Sequence, residues 1–171
     1  EGYYQVNSIN QLKTALETIE KDPTNRRIIV NAWRPDEFDQ MALPPCHILF
    51  QFLVNVERKE LSLCWYQRSC DSFLGIPFNI ASYALLLSLV AEVTSYKPRH
   101  LTGFLADTHV YVNHLEQVRL QTSRNPFSPP QLRLSIPQAA TAYERLLATA
   151  PENIELMCYE CHPAIKAEMA V

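Results

Sequence analysis

Residues 79–95 limit the folds open to this chain more than any other stretch. Pro77 leads into them, and their apolar residues, Ile80 through Val93, run nearly all round a helix and not along one stripe. A helix without a polar face must be covered on several sides, so it belongs at the centre of a layered core. Two strands precede it. Residues 48–56 are an apolar run and 61–69 alternate, with the charged turn 57–60 between them. The period of two sends Leu61, Leu63, Trp65, Gln67 and Ser69 to one face of the second strand, and Ser62, Cys64, Tyr66 and Arg68 to the other. Both faces carry bulk, which predicts cover on both.

The remaining chain reads as alternating helices and strands. Residues 8–20 form a helix with a capping box from Ser8 to Gln11, an apolar stripe of Ile9, Leu12, Leu16 and Ile19, and a stop at Asp22-Pro23. Residues 26–33 are a strand and 34–45 a loop. Residues 100–112 are a strand on which Asp107, His109 and Tyr111 share a face. Asn113 and Glu116 cap a helix to 122, and 124–130 is a proline-rich connection. A strand at 131–135, a helix at 137–148 and a strand at 154–159 follow, and 162–171 is a patternless, mobile tail. No repeat or linker divides the chain. The expectation is one α+β domain over 1–171, a layered mixed sheet flanked by helices.

Charge and cysteines narrow the chemistry. A net charge of -3 offers no basic field for nucleic acid, so any anion site is local. We see no signal peptide and no apolar run long enough to span a membrane. Five cysteines, an odd number without secretory features, point to reduced thiols and a cytoplasmic setting. Cys158 and Cys161 form a C-x-x-C beside His162, too few ligands for a zinc site, so no metal is expected.

One cysteine stands out by position. Met41-Ala42-Leu43-Pro44-Pro45-Cys46-His47 runs straight into a strand, and its paired prolines fix φ and remove two backbone donors. Cys46 therefore sits on a stiff turn at a strand mouth, where a nucleophile can be held at one angle. Arg68 follows about twenty residues later as a cation that favours a thiolate and binds anions. The competing reading is a small buried hydrophobe, the usual fate of a free cysteine.

Pro44-Pro45-Cys46-His47, the run from Tyr66-Gln67-Arg68-Ser69-Cys70-Asp71 through Phe73-Leu74-Gly75-Ile76-Pro77-Phe78-Asn79 to Tyr83, and Asp107-Thr108-His109-Val110-Tyr111 together resemble folate-dependent thymidylate synthases. The strand opening Arg26-Arg27-Ile28-Ile29-Val30 and the ending Glu168-Met169-Ala170-Val171 resemble them too. The likeness runs from about Ile9 to Val171 and is weakest over 136–156. It implies the C-terminal part, about two-thirds, of such a catalytic domain, and a homodimer packed through a sheet face. In that family a segment with a further arginine loop, a catalytic glutamate and active-site tryptophans comes earlier, and none of these maps here.

The resemblance implies reductive methylation of dUMP to dTMP by a methyltransferase with 5,10-methylenetetrahydrofolate as co-substrate. It assigns catalysis to Cys46, Asp71 and Arg68. Cys46 would add to C6 of uracil, making C5 nucleophilic. Arg68 and Ser69 would hold the phosphate, joined by Arg26 and Arg27 reaching across the dimer into the partner's site. Arginine's fork suits a phosphate monoester. Asn79 would read the pyrimidine edge, with His47 in its network, Gln67 would be a further dUMP contact, and His109 and Tyr111 would meet the sugar, Tyr159 being a third such contact. Asp71, Leu74, Gly75, Phe78 and Val171 would hold the folate. Plainer readings stay open: a salt-bridged surface pair for Arg26 and Arg27, a turn carboxylate for Asp71, a core histidine for His47. Cys64 and Cys70 read as packing. The departures from the family pattern are Ala106 for glycine, Arg34 for asparagine, Trp65 for a smaller aliphatic residue, and Cys158 and Cys161 for glycine and proline. The rival functions are a dUMP or dCMP 5-hydroxymethylase of the same superfamily and an inactive binding or dimerisation module. Aspartate at position 79 is expected of a cytosine reader, so Asn79 favours uracil.

Overall fold

The apolar helix of the sequence is a crossover between two parallel strands. The computed structural model describes residues 8–169. In it β1 (Ile29–Asn31), β2 (His47–Asn55), β3 (Glu60–Asp71) and β4 (Lys97–His109) form one mixed sheet in the order β1-β2-β3-β4. The first two pairings are antiparallel, whereas β3 and β4 are parallel. A parallel pair cannot be joined by a tight turn, and α2 (Gly75–Val93) makes the connection. Its Tyr83, Leu87, Val90, Ala91 and Val93 are buried in one core with Phe52, Leu61, Leu63 and Trp65 of the sheet. α1 (Gln11–Lys21) and α4 (Ala142–Ala148) share that core through Ala15, Leu16, Ile19 and Ala142. α3 (Leu115–Thr122) follows β4, and β5 (Gln131–Leu134) pairs with β6 (Ile154–Met157) in a separate antiparallel ribbon.

The expected faces of β3 are observed, but the expected cover is not. Leu61, Leu63, Trp65 and Gln67 are buried beneath α2, whereas Ser62, Cys64, Tyr66 and Arg68 are only half-buried. Tyr66 stacks on Phe104 of the neighbouring strand, ring centres 5.0 Å apart, and Phe104 remains 62% exposed. The helices that share the core lie on one side of the sheet, and the other side is open. α2 itself is covered on one flank only: Phe78 and Ile80 are exposed. With 19 residues and a mean hydropathy of 1.6, α2 is long and apolar enough to cross a membrane, which corrects the expectation that no such run exists. Here its apolar side is turned to the sheet.

Several boundaries move for local reasons. Asn10, not Ser8, caps α1: its side-chain oxygen accepts from the Lys13 N–H at 3.0 Å. Gln11 instead clamps β1, donating to the Asn31 carbonyl and accepting from the Asn31 N–H. The regular part of β1 is three residues long, so Arg26 and Arg27 lie in the loop before it and not on opposite faces of a strand. Asn113 does not cap α3. It lies in a 3₁₀ turn, Val112–His114, and His114 takes the cap position without a side-chain bond. α4 starts late, at a capping box formed by Thr141 and Glu144. The tail is pinned: the ring Nε2 of the fully buried His114 lies 2.7 Å from the Glu168 carbonyl, and Arg124 donates to the Pro163 carbonyl.

Candidate active site

The carboxyl ends of parallel strands are where ligands meet open sheets, and here they gather most of the residues singled out above. The register sets Ser69 beside Asp107, Cys70 beside Thr108 and Asp71 beside His109. β2 begins next to this end, with His47 opposite Gln67 and Cys46 one residue earlier. The second turn of α2 carries Asn79. Cys46, Arg68, Ser69, Asp71, Asn79 and His109 thus belong to one end of the sheet.

Cys46 is a free, half-buried thiol on a braced turn. Its carbonyl accepts from the Arg68 N–H at 2.8 Å. The Arg68 side chain reaches back along the same turn, Nε donating to the Pro45 carbonyl at 3.1 Å and Nη2 to the Pro44 carbonyl at 2.9 Å. Its guanidinium also lies over the Trp33 ring, 5.5 Å from the centre. The sequence reading gave Arg68 an electrostatic part only. In the fold it also clamps two proline carbonyls, which stiffens the turn that presents the thiol. Cys70 is fully buried with its Sγ 3.6 Å from the Gln67 carbonyl, and burial pushes its thiol up from the ordinary value. That environment suits a packing residue.

Behind Asn79 runs a chain of three polar side chains. The Trp65 indole N–H donates to Gln67 Oε1 at 3.2 Å. Gln67 Nε2 donates to the Ser69 carbonyl and to Asn79 Oδ1, both at 3.0 Å. Gln67 is 1% exposed and Trp65 5%. Indole is a donor only and a backbone carbonyl an acceptor only, so both ends of the Gln67 amide are fixed. Asn79 accepts on the Gln67 side, and among the described residues its NH₂ has no acceptor. His47 takes no part in this chain: its ring packs edge-on against Tyr83, centres 5.9 Å apart. The same Tyr83 stacks on Trp65 at 5.1 Å, and burial pushes its phenol up to about 12. Sequence reasoning placed Trp65 on one strand face with Gln67 and noted it as a departure, but gave it no part in the site. The usable signal was its i, i+2 spacing to Gln67 on one strand face.

On the β4 side, His109 Nδ1 lies 3.2 Å from the Asp107 carbonyl, and its ring meets Tyr111 edge-on at 5.1 Å. Tyr111 has left the strand, so the shared face expected by period continues through ring contact and not through the ladder. Ala106 is exposed. Asp71 Oδ1 accepts from the Phe73 and Leu74 N–H groups at 3.0 and 3.3 Å, the turn role that sequence allowed. Among the described residues Oδ2 has no donor.

A groove of ≈ 580 Å³ opens beyond that turn. Leu74 and Phe78 line it, with Phe73, Pro77, Tyr159 and His162 opposite or beside them, whereas Gly75 and Asp71 do not. A methyl at Gly75 would make only ordinary contacts, at 3.5 Å to Asp71 and 3.7 Å to Asn79. A side-chain hydrogen bond with Cys161 pushes the Tyr159 phenol's pKa up from its ordinary value. Cys158, just before it, has φ 56°, a conformation that favours glycine, as the resemblance leads one to expect there. Val171 lies outside the described residues. Arg26 and Arg27 are exposed and stand away from Cys46's turn, and neither pairs with a carboxylate among the described residues, which sets the salt-bridged reading aside. Arg27 lines a larger groove, ≈ 650 Å³, with Gln11 and Arg34. It does not include Cys46. No group of three or more His, Cys, Asp or Glu among the described residues is placed to hold a metal.

Comparison with known proteins identifies the family. The family model for thymidylate synthase matches residues 2–171. A thymidylate synthase of Mycoplasma mobile is 50% identical over 165 residues, covering 96% of this chain and 55% of that protein. One from Staphylococcus haemolyticus is 47% identical, covering 96% and 49%. A bifunctional dihydrofolate reductase-thymidylate synthase of Leishmania major is 45% identical, covering 100% and 32%. The chain spans about half the length of the curated relatives it matches. With a braced diproline cysteine, an oriented asparagine and a family match across nearly all its residues, the chain belongs to the thymidylate synthase family.

Proposed function

We propose that this chain, as one domain over 1–171, carries the nucleophile and the base-reading half of a methyltransferase that converts dUMP to dTMP. The observation that supports it most is the pairing, at one sheet end, of a half-buried thiol on an arginine-clamped turn with an amide whose NH₂ is left to face a ligand. Cys46 adds as thiolate to C6 of uracil, which pushes electron density onto C5. Asn79 donates to O4, and its carbonyl keeps a lone pair for N3–H. Ser69 and the guanidinium of Arg68 meet the phosphate. His109 and Tyr111 hold the sugar, and His47 supports the base pocket through Tyr83.

The groove beside α2 fits the co-substrate. Its wall of Phe73, Leu74, Pro77 and Phe78 suits a flat heteroaromatic ring, and Asp71, on the adjoining turn outside the groove, has Oδ2 left to accept from ring N–H groups. 5,10-Methylenetetrahydrofolate, when bound, supplies the one-carbon unit and the hydride. Asp71, Leu74 and Phe78 position it, with Gly75 leaving room at the helix start and Val171 as a further proposed folate contact. The working unit is a homodimer through the open sheet face, where Leu53, Tyr66 and Phe104 are exposed or half-buried. Arg26 and Arg27 then reach the partner's phosphate site, and the lack of carboxylate partners for them among the described residues supports that use. Five unpaired thiols support a cytoplasmic setting.

The test is product identity. The intact protein is incubated with dUMP and the folate, and the nucleotide is analysed by mass. dTMP is expected. A 5-hydroxymethyl product would assign the related hydroxymethylase, and no turnover with binding intact would assign a binding module.

A further inference from the structure

We propose that Trp65 is a positioning residue for base choice: its indole N–H sets the polarity of the Gln67–Asn79 amide pair, and with it the preference for uracil over cytosine. This rests on reading Asn79 as the residue that meets the base. Two amides in series have two self-consistent arrangements. In one, Gln67 donates to Asn79 and Asn79 presents NH₂. In the other both flip, and Asn79 presents its carbonyl oxygen. The first suits O4 of a uracil ring and the second the 4-amino group of cytosine. Neither amide can choose between them alone.

The ends of the chain make the choice. The Trp65 N–H faces Gln67 Oε1 at 3.2 Å, and the Ser69 carbonyl faces Gln67 Nε2 at 3.0 Å. Flipping Gln67 would set the indole N–H against an NH₂ and the Ser69 carbonyl against an oxygen. Both clashes would fall on the Gln67 amide, which is 1% exposed and so shielded from bulk solvent. Without the indole N–H, the flipped state keeps only one clash and the native state leaves Gln67 Oε1 unpaired, so the gap between them shrinks from both sides. The position is built to hold a large ring. Trp65 stacks on Tyr83 with 20° between planes, and Gly103 lies opposite it in the parallel register. A β-carbon at 103 would come within 2.4 Å of the indole, so the absence of a side chain there is what admits it.

The experiment compares dissociation constants for dUMP and dCMP, by calorimetry on the intact protein. Trp65 is replaced by 3-benzothienylalanine, which keeps the two-ring shape and has sulfur in place of the N–H, and separately by phenylalanine (Trp65→Phe). Asn79→Asp is measured alongside as the arm that tests the base reader itself. The dUMP-over-dCMP preference should fall about five- to fiftyfold in the benzothienyl protein, the scale of one lost buried hydrogen bond, and Trp65→Phe should move it the same way. A change in Asn79→Asp with an unmoved ratio in the benzothienyl protein would overturn the proposal while sparing the base reader. Equal weakening of both nucleotides would reduce Trp65 to packing and overturn it as well. An unmoved ratio in Asn79→Asp would remove the base reader, and the proposal with it.

Discussion

The contact between Gly103 and Trp65 gives the sharpest stability prediction. An alanine methyl at 103 would lie 2.4 Å from Cζ2, 2.5 Å from Cη2 and 2.9 Å from Cε2 of Trp65, where carbon contacts settle at about 3.5–4.0 Å. One side must move by about 1 Å. The ring has little room, since Tyr83 stacks on it and Gln67 holds its N–H. Gly103 has no positive φ, so alanine's backbone is tolerated and the substitution tests space alone. Overpacking of a tight core costs about 1–3 kcal/mol, against which alanine recovers about 0.4–1 kcal/mol of chain entropy. Gly103→Ala should therefore destabilise by about 1–2 kcal/mol. Trp65→Leu alone should cost about 2–3 kcal/mol through the cavity it leaves. Together they should cost less than the sum, because the methyl occupies space the ring vacated, with a coupling of about 1–2 kcal/mol. Urea midpoints of the four proteins at one protomer concentration measure this. A neutral Gly103→Ala, or additivity within about 0.5 kcal/mol, would refute the steric reasoning.

Cys46→Ser should abolish turnover and leave nucleotide binding largely intact, since a hydroxyl hardly ionises near neutral pH; a 5-fluoro analogue of dUMP should label Cys46 and not the buried Cys70, as mass spectrometry of peptides would show. Mixing Arg26→Ala chains with Cys46→Ser chains should restore activity through hybrid dimers with one intact site, and verified hybrids without activity would count against binding across the dimer. Cys158→Gly should stabilise by about 1 kcal/mol by relieving the left-handed backbone at φ 56°, read as a rise in Tm. Tyr83 has a folded pKa of about 12 against an ordinary 10.0, so its contribution is complete below pH 10 and is lost as pH rises toward 12. That is about 2–3 kcal/mol, and Tyr83→Phe should flatten the decline in that window by this amount.

Much of the architecture was legible because periodicity records burial locally. The alternation along β3 named Leu61, Leu63, Trp65 and Gln67 as buried, though Ser69 at its end is half-buried, and the all-round apolar stretch announced a core helix, though α2 is covered on one flank and not on several sides. The resemblance carried by Cys46, Arg68, Asp71 and Asn79 also favoured methylation of dUMP, with a hydroxymethylase and an inactive module as rivals. Boundaries were less legible where capping choices compete. Asn10 displaced Ser8 because Gln11 was wanted by Asn31, twenty residues away. The tail was read as mobile because its own residues have no pattern, yet His114 and Arg124 hold it through its carbonyls, which no side-chain sequence reports.

The sequence by itself determined which residues are apolar, which can donate or accept, and in what order they arrive. It did not determine where a side chain is spent. Arg68 is an arginine in any context, and only the approach of β2 to β3 put the carbonyls of Pro44 and Pro45 within its reach. Asn79 is an ambivalent amide until Gln67, fixed by the Trp65 indole and the Ser69 carbonyl, takes one side of it. Hydrogen-bond polarity is a property of a closed set of partners, and that set exists only once the backbone has brought distant residues within 3 Å or so of one another.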